Sequence, residues 1–401
     1  MPLPWSSYLR WMLGSLLGVL CLTGSINALI DPLDVTGSPT IRGINALKPY
    51  LDHHRELARW QRAQRLCANT GILGNSRAEI GFDPLHPAFQ GVGLSAFNHA
   101  IPGSRLHTSL QQLYWLEDIG CLPGTLIIGL DFFNFLGGTS LQEVPLPRPG
   151  PPPAIGLPFL AENILSISGL GDALRTLRIQ HTRNPGILTE RGFNPLLPYI
   201  DEVAHAGHSP LFRQRAEENL GLWTAKPPRL APAEGGPSSD LLALEAILDL
   251  AQSKGSTVHL VIYPYHAQIR GMMEKIGLTP LFLEWKRQMN TLASRRQPGQ
   301  APLALWDFST LSEETREAIP PPGDRTTRLH YYWEAGHFKK ELGDKILERI
   351  LLNQGEFGVR LDTASIEHHL AEDQRSVTRL VATPSPLMTD IEDILSRHKK
   401  H

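Results

Sequence analysis

Trp11 to Ile30 reads WMLGSLLGVLCLTGSINALI and contains no charged residue. A helix of this length, rising 1.5 Å per residue, crosses about 30 Å of hydrocarbon, so the run has the dimensions of a transmembrane segment. Arg10 stands just before it, and Asp31 and Asp34 follow. Positive charge on the short N-terminal side argues for a cytoplasmic N-terminus (1–10), an anchor at 11–30 and export of the rest. A cleaved signal peptide is the alternative, since Ala28 and the small residues before it form a mediocre cleavage site. The run exceeds a normal signal core, which favours an uncleaved anchor. No acylation box precedes Cys21, because Leu20 occupies a position that needs a small residue. In a bacterium this topology gives a single-pass inner-membrane protein with a periplasmic main domain. That compartment is oxidising, so Cys67 and Cys121 are available to pair, although spacing alone leaves the pairing open.

The remaining chain is ordinary in bulk. Its 401 residues hold 38 Lys+Arg against 40 Asp+Glu, a formal net charge of −2 that supplies no field for gathering nucleic acid. With 41% hydrophobic residues it can bury a core. A mean hydropathy of −0.16 excludes a polytopic membrane protein. Three cysteines are too few for a disulfide framework or a four-thiolate zinc site.

Residues 31–70 read as a linker with a surface helix beyond Pro49. An α/β alternation then begins: GILGNSR (71–77), AFNHAIPGS (96–104), a helix from Leu106 to Ile119 with leucines at helical spacing, and the strand TLIIGLDFFNF (125–135). It breaks at the proline-rich Val144–Pro158 and a weakly periodic stretch, so 137–238 reads as an insertion or lid. It resumes with helix 240–255, strand 257–265, helix 281–294, strand 303–308 and helix 339–353. Such alternation predicts a parallel sheet built from 71–136 and 239–353. The tail 354–401 is charged, carries His368, His369, His398 and His401, and reads as partly disordered.

In a parallel α/β sheet, reactive groups gather beyond the carboxyl ends of the strands. There the chain places Ser76 and Arg77 after the first strand, Gly103 after the second, Asp131 and Asn134 after the third, and His266 after the fourth. HYYWEAGHFKKELG (330–343) precedes the last helix. A serine needs a base to become a nucleophile, and the base needs a carboxylate to fix its tautomer. Ser76, His337 and Glu334 supply those three types, with the acid three residues before the histidine. The plainer readings are Ser76 as a helix cap, Arg77 paired with Glu79 or Asp83, and His266 as a satisfied loop histidine. Tyr332 and Trp333 flank Glu334 and would suit either a core or a sugar-stacking wall. No metal is indicated: His53/His54 and His205/His208 lack a carboxylate or thiol at ligand spacing, and HExxH is absent. No G-x-G-x-x-G follows a strand and no P-loop occurs, so no cofactor is indicated either.

GNSR at 74–77, the Ala-x-x-Gly-Ser turn at 100–104 and the late Glu-x-x-His together resemble the SGNH/GDSL hydrolase superfamily. LGNSRAEIGFDPLHPAF and YYWEAGHFKKELGDKIL resemble, within it, membrane-anchored bacterial proteins related to alginate O-acetylation. The resemblance covers about 71–135 and 257–350. It implies a flavodoxin-like three-layer sandwich with a central parallel sheet. It also implies a Ser76 nucleophile, a His337 base with Glu334 as its carboxylate, and an oxyanion hole from the backbone N–H groups of Ser76 and Gly103. The chain departs from the family where Gly129, Leu130 and Asp131 stand in place of Gly-x-Asn-Asp. A carboxylate only accepts hydrogen bonds, so either Asn134 supplies the missing donor, Asp131 has another role, or hydrolysis is poor. The implied function is an esterase or O-acyltransferase acting on acetyl esters of envelope or secreted carbohydrate, beside a membrane-bound acyltransferase partner. The alternative is a non-catalytic glycan-binding or assembly component.

Overall fold

The computed structural model describes residues 5–49, 55–136, 150, 152, 156–231, 236–295 and 301–398. The proline-rich segment Val144–Pro158 lies mostly outside them. The chain divides into two compact units. Met1–Arg65, Pro151–Glu190 and Asn194–Pro198 form one, while Leu66–Gly150, Arg191–Phe193 and Tyr199–His401 form the other. The stretch 137–238 is therefore shared between units rather than forming one lid.

In the first unit the apolar run forms a helix, Trp5–Ile30, that begins six residues before the charge-free stretch. It is long and apolar enough to cross a membrane. Near its C-terminal end Gly24 and Asn27 are buried, and the Asn27 side-chain amide donates to the carbonyls of Ile164 (2.8 Å) and Ser166 (3.3 Å). Ser166 in turn caps the helix Ile167–Ile179 by accepting from the Gly169 N–H.

The second unit is a mixed α/β body around a six-stranded, mostly parallel sheet. Its strands are β1 (Thr70–Leu73), β2 (Ala96–Asn98), β3 (Thr125–Leu130), β4 (Thr257–Ile262) and β5 (Leu303–Asp307). A two-stranded hairpin, β6 (Tyr332–Glu334) and β7 (His337–Phe338), follows, and β8 (Val359–Leu361) closes the large sheet antiparallel to β5. The sheet order is β2-β1-β3-β4-β5-β8. The chain moves outward from β1 to β2, then returns to β1's other side for β3, so the winding direction reverses between β1 and β3. That reversal opens a crevice at the carboxyl ends of the two strands. β1 is buried throughout, and β3 from Leu126 onward, as continuous apolar strands of a parallel sheet must be.

Two sequence expectations change. The third strand stops at Leu130, not at 135. Asp131 caps a short helix, Phe132–Phe135, by accepting from the Phe133 N–H. The tail is also ordered: the helices Ile366–Ala382 and Pro386–His398 bury Leu370, Val377, Met388, Ile391 and Ile394. A charge network holds the first of them. Lys286 Nζ lies 2.7 Å from both Asp307 Oδ2 and Asp373 Oδ2, and Arg270 Nη2 donates to Asp373 Oδ1 at 3.0 Å. All four side chains are buried. Despite burial, which works the other way, Lys286 and His369 draw the Asp307 carboxyl well below the usual range. Breaking one member of a buried pair leaves an uncompensated charge, a loss of about 3–5 kcal/mol. Asp373→Asn is therefore expected to destabilise the full chain by about 3 kcal/mol or more in denaturant unfolding. A loss under about 1 kcal/mol would show the network to be dispensable.

Candidate active site

The turn after β1 is built for close approach. Gly74 has φ +145°, and a Cβ there would stand 2.4 Å from the Tyr263 hydroxyl. Asn75 follows in extended conformation and caps the helix Ser76–Gly81, its side-chain oxygen accepting from the Arg77 N–H at 3.1 Å. The cap is thus Asn75, which leaves the Ser76 hydroxyl for other work. As the first residue of that helix, Ser76 also has a backbone N–H without an intrahelical acceptor.

The histidine arrives on the β6–β7 hairpin, where Glu334 and His337 pair across the turn. Glycines bring the hairpin against the serine's helix: a Cβ at Gly81 would overlap the Phe338 ring at 1.9 Å, and one at Gly343 would meet the Gly81 carbonyl oxygen at 1.7 Å. Ser76 Oγ and His337 Nε2 are consequently 2.8 Å apart, although 261 residues separate them in sequence. His337 Nδ1–H donates to Glu334 Oε1, an assignment that leaves Nε2 free to accept from Ser76. Glu334 is buried, yet its carboxyl stays below its usual range. Burial pushes it up, but the His337 ring, Arg215 (Nε 3.3 Å from Oε1) and the Gly336 N–H (2.5 Å from Oε2) together outweigh that. Ser76, His337 and Glu334 therefore form a continuous serine–imidazole–carboxylate chain.

Asp131 faces the other side of the turn. Its Oδ2 accepts from Asn75 Nδ2 at 2.8 Å and from the Arg77 guanidinium, and its Oδ1 accepts from the Tyr265 hydroxyl at 2.8 Å. Arg77 pairs with Asp131 rather than with Glu79 or Asp83. Burial alone would lower the Arg77 pKa, but Asp131 raises it. Burial and the Asp131 charge push the Tyr265 phenol well above its ordinary value, so it remains a neutral donor. Asp131 thus fixes Asn75 and Arg77, the two neighbours of the serine. The 101–104 turn that carries Gly103 is pinned to the same place, with the Ile101 N–H (3.1 Å) and Ser104 Oγ (3.3 Å) both donating to the Gly74 carbonyl.

A cavity of about 430 Å³ opens beside Arg77 and Asp131, walled by Phe133, Asn134, Leu222 and Trp223. The Trp223 indole stacks on Phe133 with centroids 4.3 Å apart and planes within 6°. Asn134 therefore lines the cavity, whereas His266, Tyr332 and Trp333 do not. His266 is a buried cap: its Nδ1 accepts from the Gln268 N–H at 3.1 Å and its Nε2–H donates to the Glu317 carbonyl at 2.8 Å. Tyr332 packs edge-on against it at 4.9 Å and donates its hydroxyl to the Pro264 carbonyl, so it is core rather than a sugar platform. Trp333 is half-buried, with its ring under Lys339 Nζ at 4.5 Å. Arg215, Tyr265 and Trp223 are site residues that no short motif marks. Among the described residues no group of three or more His, Cys, Asp or Glu side chains is placed to hold a metal ion. No family model, curated protein or solved structure matches the chain.

The strand bearing Glu334 depends on a neutral histidine. His208 Nδ1–H donates to the Trp333 carbonyl, and its Nε2 accepts from the Leu329 N–H, both at 3.2 Å. Burial lowers His208 to about 4. An unfolded histidine titrates near 6.5, so between those values the unfolded chain binds the extra proton. The stabilisation His208 contributes is thus complete above about pH 6.5 and is lost as pH falls toward 4. Thermal unfolding of the full chain should move to lower temperature across that window, and His208→Gln should make the dependence shallower, leaving the share of His259 and His266, which burial also lowers to about 4. Identical slopes for the two proteins would contradict this role.

Proposed function

We propose that the protein is a membrane-anchored, extracytoplasmic serine esterase or O-acyltransferase of the SGNH type, working on acyl esters of carbohydrate through Ser76, His337 and Glu334. The observation that carries this reading is the Ser76–His337–Glu334 hydrogen-bond chain, with a serine hydroxyl 2.8 Å from a carboxylate-oriented imidazole. Supporting it, the strand order 2-1-3-4-5 of the parallel strands is the flavodoxin-like order, and Ser76 follows β1 at the switch point. A three-layer sandwich of the SGNH kind is the architecture this order suits. The disulfide between Cys67 and Cys121 is at home in an oxidising compartment, as export across the N-terminal helix requires.

In this mechanism Ser76 Oγ attacks the ester carbonyl carbon while His337 Nε2 takes the hydroxyl proton. Glu334 steadies the resulting imidazolium. The developing oxyanion is met by the N–H groups of Ser76 and Gly103, the first carrying the positive end of a helix. Collapse breaks the bond to the alcohol, which leaves with the proton from His337, and Ser76 holds the acyl group. Water or a sugar hydroxyl then attacks that acyl-serine with His337 again as base. The cavity beside Arg77, with its Phe133–Trp223 stack, is where the alcohol portion would rest.

The second reading is a non-catalytic glycan-binding or assembly component, working beside a membrane-bound acyl donor. It is favoured by Asp131, a fully engaged carboxylate where the family resemblance calls for a side-chain amide donor. One assay separates the two: acetyl-ester hydrolysis, and acetyl transfer to an oligosaccharide, by the full chain. Ser76→Ala and His337→Ala are each expected to lower kcat/KM by about 10³-fold or more, and Glu334→Gln by about 10²–10⁴-fold. Activity that survives Ser76→Ala would end the triad reading. Binding of the glycan without turnover would support the second.

A further inference from the structure

The Trp5–Ile30 helix spans 26 residues, or about 39 Å, which exceeds the roughly 30 Å of a bilayer's hydrocarbon. Its buried positions show which part is left over. Residues 5–23 include none that is buried, whereas Gly24 and Asn27 are enclosed by the chain itself. A Cβ at Gly24 would come within 2.8 Å of Leu165, and one at Gly169 within 1.8 Å of the Asn163 carbonyl oxygen and 2.7 Å of the Asn27 amide. Protein therefore begins to pack on this helix about one bilayer thickness from Trp5, at the level where the helix would leave the lipid.

The partner at that level is unusual for a water-exposed surface. The helix Ile167–Ile179 buries Gly169, Ala173, Thr176 and Ile179 on one side. Its other side, which also exposes Ser168, carries an apolar stripe. Ile167 is 85% exposed and Leu174 is 59% exposed, on one stripe with Gly171, and Leu157, in the separate short helix Leu157–Phe159, is 83% exposed. A helix facing water carries polar side chains on its open face. Here the exposed stripe ends instead in Arg175 and Arg178, both exposed. Apolar side chains followed by arginines whose stems can reach headgroups are the arrangement of a helix lying in a membrane interface.

We propose that residues 157–178 form a membrane-surface collar: Leu157, Ile167 and Leu174 sit in the headgroup–acyl boundary beside the exit of the N-terminal helix, with Arg175 and Arg178 on lipid phosphates. The inference rests on the reading that Trp5–Ile30 spans a bilayer. It identifies part of the 137–238 stretch as a lipid-binding element rather than a lid over the active site. Such a collar would limit tilt and rotation of the anchor, since the Asn27 and Gly24 contacts make helix and collar one packed module.

The test uses the full chain in vesicles of phosphatidylethanolamine and phosphatidylglycerol. Ile167→Cys, Leu174→Cys and Leu17→Cys are made one at a time in a Cys21→Ser background that keeps the Cys67–Cys121 disulfide, and each is labelled with bimane. All three parent side chains are exposed, so the substitutions leave the packing intact. Each label is read against nitroxides at shallow and deep acyl positions and against aqueous iodide. The collar predicts that labels at 167 and 174 lose half or more of their emission to the shallow nitroxide and resist iodide, while the label at 17 responds to the deep one. If 167 and 174 respond only to iodide while 17 is quenched by lipid, the collar is wrong and the anchor stands. If 17 also responds only to iodide, the anchor reading falls and the collar falls with it.

Discussion

The arrangement of Ser76 and His337 in the larger unit depends on keeping Glu334 ionised inside protein. A buried carboxylate costs several kcal/mol unless cations or N–H groups meet it, and it would otherwise take up a proton. His337, Arg215 and the Gly336 N–H meet it here. The carboxylate in turn decides which imidazole nitrogen holds the proton, and so leaves Nε2 open toward Ser76. The hairpin geometry, the Gly81–Phe338 contact and the His208 clamp on the preceding loop all serve that single orientation. Arg215 comes from the 199–238 part of the stretch that interrupts the α/β alternation, so that part helps build the site.

A second buried carboxylate works on the opposite side of the serine. Asp131 is satisfied by Asn75, Arg77 and Tyr265, which makes it a foundation for the turn. This answers what an aspartate does where a side-chain amide donor was expected: it orders the residues on both sides of Ser76. The same logic of fully paired buried charge recurs at Lys286, Asp307, Asp373 and Arg270, where it holds the helix Ile366–Ala382 to the sheet.

Much of this was legible in the sequence because the signals were local. The charge-free run, the apolar strands and the order of Ser76, Glu334 and His337 along an α/β pattern all follow from spacing and residue type. Partners distant in sequence were hidden. Nothing near Arg77 points to Asp131, 54 residues away, and nothing near Glu334 points to Arg215. The end of β3 was misjudged because Phe132–Phe135 is as apolar as a strand, and only the Asp131 cap turns it into a helix. The tail's charge and histidines suggested disorder. Its buried residues Ile366, Leu370, Val377, Met388, Ile391 and Ile394 do follow helical spacing, but they are few among polar neighbours. His266 and Tyr332 looked like wall residues from their place after β4 and beside Glu334, yet each turns inward to a backbone carbonyl.

If His337 makes Ser76 nucleophilic, a fluorophosphonate will react with the full chain at that serine, and mass spectrometry will locate the adduct. One adduct per chain is expected, on Ser76, formed quickly in the native protein and abolished by His337→Ala even though the serine remains. No adduct, an adduct on another serine, or labelling of Ser76 that is indifferent to His337→Ala would contradict it.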